Sequence, residues 1–137
     1  MAIWRWIGVL SVVLWGTGLI APGNLYAAGD GYTLDDLQLK SAGNLRDVCA
    51  IDPGHEQHTD ALAFCYGFFE GAIRYTQAIA GSDPRRKLVC EPPGTTRLQA
   101  VEVFTRYMNE HPEYDSEGPI DALFRALIAR WPCPQAS

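Results

Sequence analysis

The stretch "CAIDPGHEQHTDALAFC", residues 49–65, sets two cysteines and two histidines close together. Cys49, His55, His58 and Cys65 are the ligand types that zinc prefers. Their spacing fits none of the paired close-ligand motifs, and His55-Glu56-Gln57-His58 is not H-E-x-x-H. The competing chemistry is oxidation, which would commit the sulfurs to disulfides and leave the histidines as ordinary polar residues. Redox compartment decides between the two.

The N-terminus speaks for export. "MAIWRWIGVLSVVLWGTGLIAPGNLYAAGDGY" carries one early basic residue, Arg5, and no charge from Ile7 to Ile20. Pro22 and Gly23 break the apolar run, and Leu25 and Ala27 suit the positions three and one before a cleavage point. This is the layout of a signal peptide, with cleavage expected after Ala27. A membrane anchor needs roughly 20 apolar residues, more than this run supplies. The mature domain is then residues 28–137, of ordinary single-domain size, with no membrane segment left after cleavage. It loses Arg5, so ten basic side chains face sixteen acidic ones and the net charge is −6. Such a surface disfavours nucleic acid, whose phosphates need a basic partner. It favours a basic protein partner instead.

In an oxidising compartment the even set Cys49, Cys65, Cys90 and Cys133 reads as two disulfides. Three pairings are open. A helix from Cys65 to Ala80 covers about 22 Å, and ten extended residues back to Cys90 span about 33 Å. Reach therefore permits Cys65–Cys90 with Cys49–Cys133, which is the expected pairing. Cys49–Cys65 is also feasible.

The elements that would carry these residues are helical. Residues 28–40 look peripheral, with Thr33 and Asp36 spaced as a capping pair. "SAGNLRDVC" reads as a short helix capped by Ser41, with Leu45, Val48 and Cys49 on one face. Gly43 lowers its propensity, and Asp52-Pro53-Gly54 ends it. A long helix follows, from about Gln57 to Ala80, with Thr59 as the expected cap and Gly81 as the stop. Its apolar stripe is Leu62, Cys65, Phe69, Ile73 and Thr76, widened by Ala61, Phe64, Phe68, Ala72 and Ile79. So broad a face predicts a central helix, with Gly67 and Gly71 forming a groove for close packing.

Residues 81–94 are too rich in proline and glycine for regular structure, so a disulfide at Cys90 would pin them. Thr96 and Gln99 form a capping box for a third helix. Leu98, Val101, Phe104 and Met108 face its interior, and Pro112 stops it near His111. "PEYDSEGP" then makes an acidic loop. A fourth helix starts at Pro119, a tolerated first-turn position, and buries Ile120, Leu123, Phe124, Leu127, Ile128 and Trp131. The pattern contains no strand signature. It predicts an all-α, four-helix domain with two disulfides.

Catalytic chemistry finds little support. An oxidised cysteine set leaves no thiol nucleophile, and the serines lack the G-x-S-x-G context. Glu70 has Arg74 four residues on, the geometry of a helical ion pair. Arg85-Arg86-Lys87 reads as a solvated basic turn. No motif calls for a metal or other cofactor. The loop after the third helix stands out instead: Glu113, Tyr114, Asp115 and Glu117 have no evident structural task, and loops on a rigid body carry recognition.

"AFCYGFFEGA", Cys90 followed by Pro92-Pro93-Gly94 and Thr96, "VFTRYMNEHPE" and "ALFRALIARWPCP" together resemble the Tai/Rap immunity proteins. The resemblance runs from about Val48 to Pro134. Cys65, Cys90, Cys133 and the His111-Pro112-Glu113 turn match closely, residues 92–100 more loosely. It implies a small helical periplasmic protein, disulfide-held and often homodimeric. It further implies a partner, a peptidoglycan amidase toxin delivered by type VI secretion, blocked by direct binding; from the loop reading, Glu113, Tyr114, Asp115 and Glu117 are the expected contacts. The alternative from the residues alone is an acid-stress chaperone that exposes apolar surface as its carboxylates are neutralised.

Overall fold

Ser41 opens the first helix as the spacing predicts: its backbone is extended and its hydroxyl accepts from the Asn44 N–H. The computed structural model describes residues 31–134, so the signal segment and its cleavage point lie outside the described residues. Four α-helices follow in order: α1 (Ala42–Cys49), α2 (His58–Ala80), α3 (Arg97–Glu110) and α4 (Pro119–Arg130). Three single-turn 3-10 segments lie at Asp36–Gln38, Pro84–Arg86 and Pro112–Tyr114. Among the described residues there is no strand, so the domain is all-α. No described helix is long and apolar enough to cross a membrane.

The shortest helix occupies the centre. α1 packs against α2, α3 and α4, and its Ala42, Leu45 and Val48 are fully buried. α3 likewise touches all three other helices. Around them Phe69 of α2, Phe104 and Met108 of α3, and Leu123 and Leu127 of α4 complete the core. Phe69 and Phe104 meet edge to face at 5.6 Å, the favourable arrangement of two ring quadrupoles.

α2 was expected at the centre and lies at the side. Ile79 is 51% exposed, and a Cβ built on Gly67 or Gly71 meets nothing within 4 Å. The predicted close-packing groove is therefore open surface. The apolar stripe is wider than the buried one: Leu62, Phe64, Phe68, Ile73 and Thr76 are only half-buried, and Ile79 is exposed. Replacing Gly67 by alanine should consequently stabilise the monomer by about 0.5–1 kcal/mol, the helix-propensity difference, with no clash to oppose it. Thermal unfolding checks this; a loss of stability would show that the face is covered.

Three more details depart from the sequence pattern. α2 starts at His58 with Gln57 at its cap position and no side-chain cap, so Thr59 sits inside the first turn. Leu98 (44%), Ile120 (43%) and Ile128 (39%) are exposed, while Ala100, Val103, Ala122 and Ala126 take the inward positions. In both helices the alanines let α3 and α4 approach one another closely, and the larger residues are turned out. The capping box of α3 forms in full, and Pro119 occupies the first turn of α4. Thr33 and Asp36 also pair reciprocally, but over a 3-10 turn rather than an α-helix.

The disulfides join Cys49 to Cys65 and Cys90 to Cys133. This corrects the expected Cys49–Cys133 and Cys65–Cys90 pairing. α1 ends at Cys49, and the 50–57 turn brings α2 back alongside it, leaving the two Cα atoms 5.7 Å apart. Cys90 lies beside the end of α4, where its N–H donates to the Trp131 carbonyl. Reach alone did not encode that neighbourhood.

Candidate partner-binding surface

The metal reading fails on the sulfurs: Cys49 and Cys65 are bonded to each other. The imidazoles are engaged with backbone, His58 Nδ1 lying 3.0 Å from the Ile51 carbonyl and His55 Nδ1 accepting from the Gln57 N–H. Among the described residues no group of three or more His, Cys, Asp or Glu side chains is arranged to hold a metal ion. The Glu70–Arg74 helical pair is present, and Arg97 of α3 joins it from across the helix interface. That makes Glu70 a bridge between α2 and α3, a role invisible in the α2 sequence alone. Asp83 pairs with Arg85, so one member of the basic turn is already occupied.

The loop between α3 and α4 is the most elaborately built surface feature. Pro112 stops α3 and starts a 3-10 turn ending at Tyr114. Tyr114 stacks parallel to Tyr107 of α3 at 6.1 Å and 3°. His111 leans on Tyr107 at 4.4 Å. Arg125 of α4 lies over the Tyr114 ring at 4.4 Å while gripping both oxygens of Glu117. On the other side Arg46 of α1 donates to Asp115. The Asp115 and Glu117 carbonyls accept from the Gly43 and Ala42 N–H groups.

The four residues nominated from sequence therefore lie together but do different things. Tyr114, Asp115 and Glu117 each have an intramolecular partner, contrary to the expectation that they lack a structural task. Glu113 projects outward, its carboxylate 58% exposed and 3.0 Å from His111 Nδ1. Its carboxyl is held below the ordinary carboxylate range by its own backbone N–H first and by His111 second, so it presents a negative charge at neutral pH. Sequence reasoning missed the anchors: Arg46, Arg125 and Tyr107. The one available signal was Gly43, an entropically costly residue inside a short helix.

Three other carboxyls share that downward shift: Asp36 through Thr33, Glu70 through Arg74 and then Arg97, and Asp83 through Arg85. A carboxyl whose pKa is depressed on folding stabilises above its unfolded value and loses that contribution as pH falls through its folded value. These groups have ordinary values of 3.8 and 4.5, so the thermal midpoint should hold down to about pH 5 and fall progressively below it. Their exposure keeps the decline shallow. An acid-triggered chaperone needs the opposite, a collapse in mildly acidic buffer, and unfolding scans against pH distinguish the two.

Among the described residues, then, a helical body is locked by two disulfides and carries a charged loop that α1, α3 and α4 hold in place. The family model of the Rap1a immunity proteins matches residues 41–133, which contain all four helices and both disulfides. The chain belongs to that family of immunity proteins, which implies a toxin as its binding partner. No curated protein and no solved structure matches the chain significantly.

Proposed function

We propose that the protein is exported to the periplasm and there neutralises a type VI secretion peptidoglycan amidase by occluding its active-site cleft. The observation that carries this reading is the anchored loop 111–117, a preformed negative projection on a rigid body. Its charge suits a basic cleft and speeds encounter with it. Holding the loop in one shape before binding avoids the ordering cost of a flexible one. The resemblance to the Tai/Rap proteins extends to pairing of two copies, and the open face of α2 leaves room for a second copy; sedimentation measures that state.

The test is protection in cells. Of strains that each export one type VI peptidoglycan amidase toxin, at least one should survive when residues 1–137 are expressed. That strain should lyse when only residues 28–137 are made, because these stay in the cytoplasm. Protection by the leaderless form would contradict periplasmic action, and absence of protection by either form would contradict the amidase assignment.

A further inference from the structure

Asp115 sits in the middle of the acidic loop, and its carboxylate is turned toward Arg46 of α1 although the side chain stays 38% exposed. Arg46 Nη1 donates to Asp115 Oδ1, and the arginine side chain is only 19% exposed. The same guanidinium holds Asp47 on its own helix, which fixes its direction. Two loop carbonyls, of Asp115 and Glu117, accept from the first two N–H groups of α1 at 3.0 and 2.8 Å. Those donors have no partner within the helix and must find one elsewhere. Ser41 supplies the third acceptor, to Asn44. The loop therefore completes the start of α1, and α1 in return shapes the loop.

Gly43 lies at the point where they meet. It is buried, and a Cβ there would stand 3.4 Å from the Asp115 carbonyl oxygen, 3.5 Å from its Cβ and 3.6 Å from its Cγ. A methyl group fills that space; a branched side chain displaces the loop.

We propose that Arg46 is a positioning residue for partner binding, and that Asp115 serves as the strut it holds rather than as a partner contact. The proposal rests on the 111–117 loop being the contact face. Glu113, which projects outward, is then the charge offered to the partner. Releasing the strut lets the loop sample other shapes, and apparent affinity falls by the fraction of time spent in the competent one. A loop left competent a tenth of the time binds about tenfold more weakly.

The first measurement needs no partner. Amide hydrogen exchange at Ala42 and Gly43 should speed up by about tenfold or more in Arg46→Met and Gly43→Val, with the exchange of core amides in α3 unchanged. Unchanged exchange at these two amides overturns the proposal. The second measurement is affinity for the amidase neutralised in the protection assay, for Arg46→Met, Asp115→Asn, the double variant and Glu113→Lys. A strut predicts equal losses in both singles and the double, because each breaks the same contact. Additive losses, with Glu113→Lys also weakened, would place Asp115 against the partner and overturn the strut while leaving the loop as the interface. Wild-type affinity in all four variants would remove the loop from the interface, and the positioning proposal with it. Asp115→Asn changes one atom type and keeps the loop backbone intact, so it stays informative if Gly43→Val fails to fold.

Discussion

Removing the Cys90–Cys133 crosslink by a paired alanine substitution should lower the thermal midpoint by roughly 20 °C. The bond closes a sequence separation of 43 residues. In the chain-entropy account a loop of that length costs the unfolded state about 4 kcal/mol of freedom. A domain of this size converts each kcal/mol into several degrees. The native state loses little by way of contacts, because both sulfurs sit on half-buried residues at the periphery. It does lose the restraint on residues 81–96, which have only a 3-10 turn of their own. Residue Val89 and the Trp131 ring pack partly against the core from this side, so proteolysis within 81–96 should accelerate as well. Cys49–Cys65 spans 16 residues and should contribute about 3 kcal/mol. It should resist reductant longer, since Cys65 is fully buried. A midpoint unchanged in the Cys90/Cys133 double alanine variant would show that the crosslink does not constrain the unfolded chain.

Truncating Phe104 to alanine should cost about 3–5 kcal/mol, enough to threaten folding of the isolated domain. Phe104 has no exposed surface and stands edge to face with Phe69 across the α2–α3 contact. Leu45 and Val48 of α1 belong to the same cluster, so no solvent can enter to relieve the void. Phe104→Leu keeps much of the volume and should lose well under half as much. Chemical denaturation separates the two: a shift in midpoint with constant slope reports the stability change alone. If Phe104→Ala unfolds at the wild-type denaturant concentration, the α2–α3 seam is not where the core's energy lies.

The helices were readable because each combined a start signal, an apolar period and a stop. Ser41, the Thr96–Gln99 box, Gly81, Pro112 and Pro119 all act where the pattern puts them. Which faces are buried was less legible. Alanines are apolar enough to join any stripe and small enough to sit at a close interface, so Ala100 and Ala122 were passed over for Leu98 and Ile120. The centrality of α1 was hidden by its length, since periodicity rewards long helices and α2 offers more of it. The disulfide pairing was lost because reach constrains weakly: several pairings were within range, and only the antiparallel return of α2 along α1 selects one. At the loop, composition marked the right segment but not its wiring. Arg46 lies 69 residues from Asp115, and nothing local to either announces the other.

The central claim is that this rigid body acts by stoichiometric contact with a toxin. Titrating the purified protein into the amidase neutralised in the protection assay, with release of peptides from peptidoglycan as the readout, tests it most directly. The account predicts a linear fall to zero activity at one protomer per toxin, with no turnover by the protein alone. Full amidase activity in the presence of excess oxidised protein would contradict it.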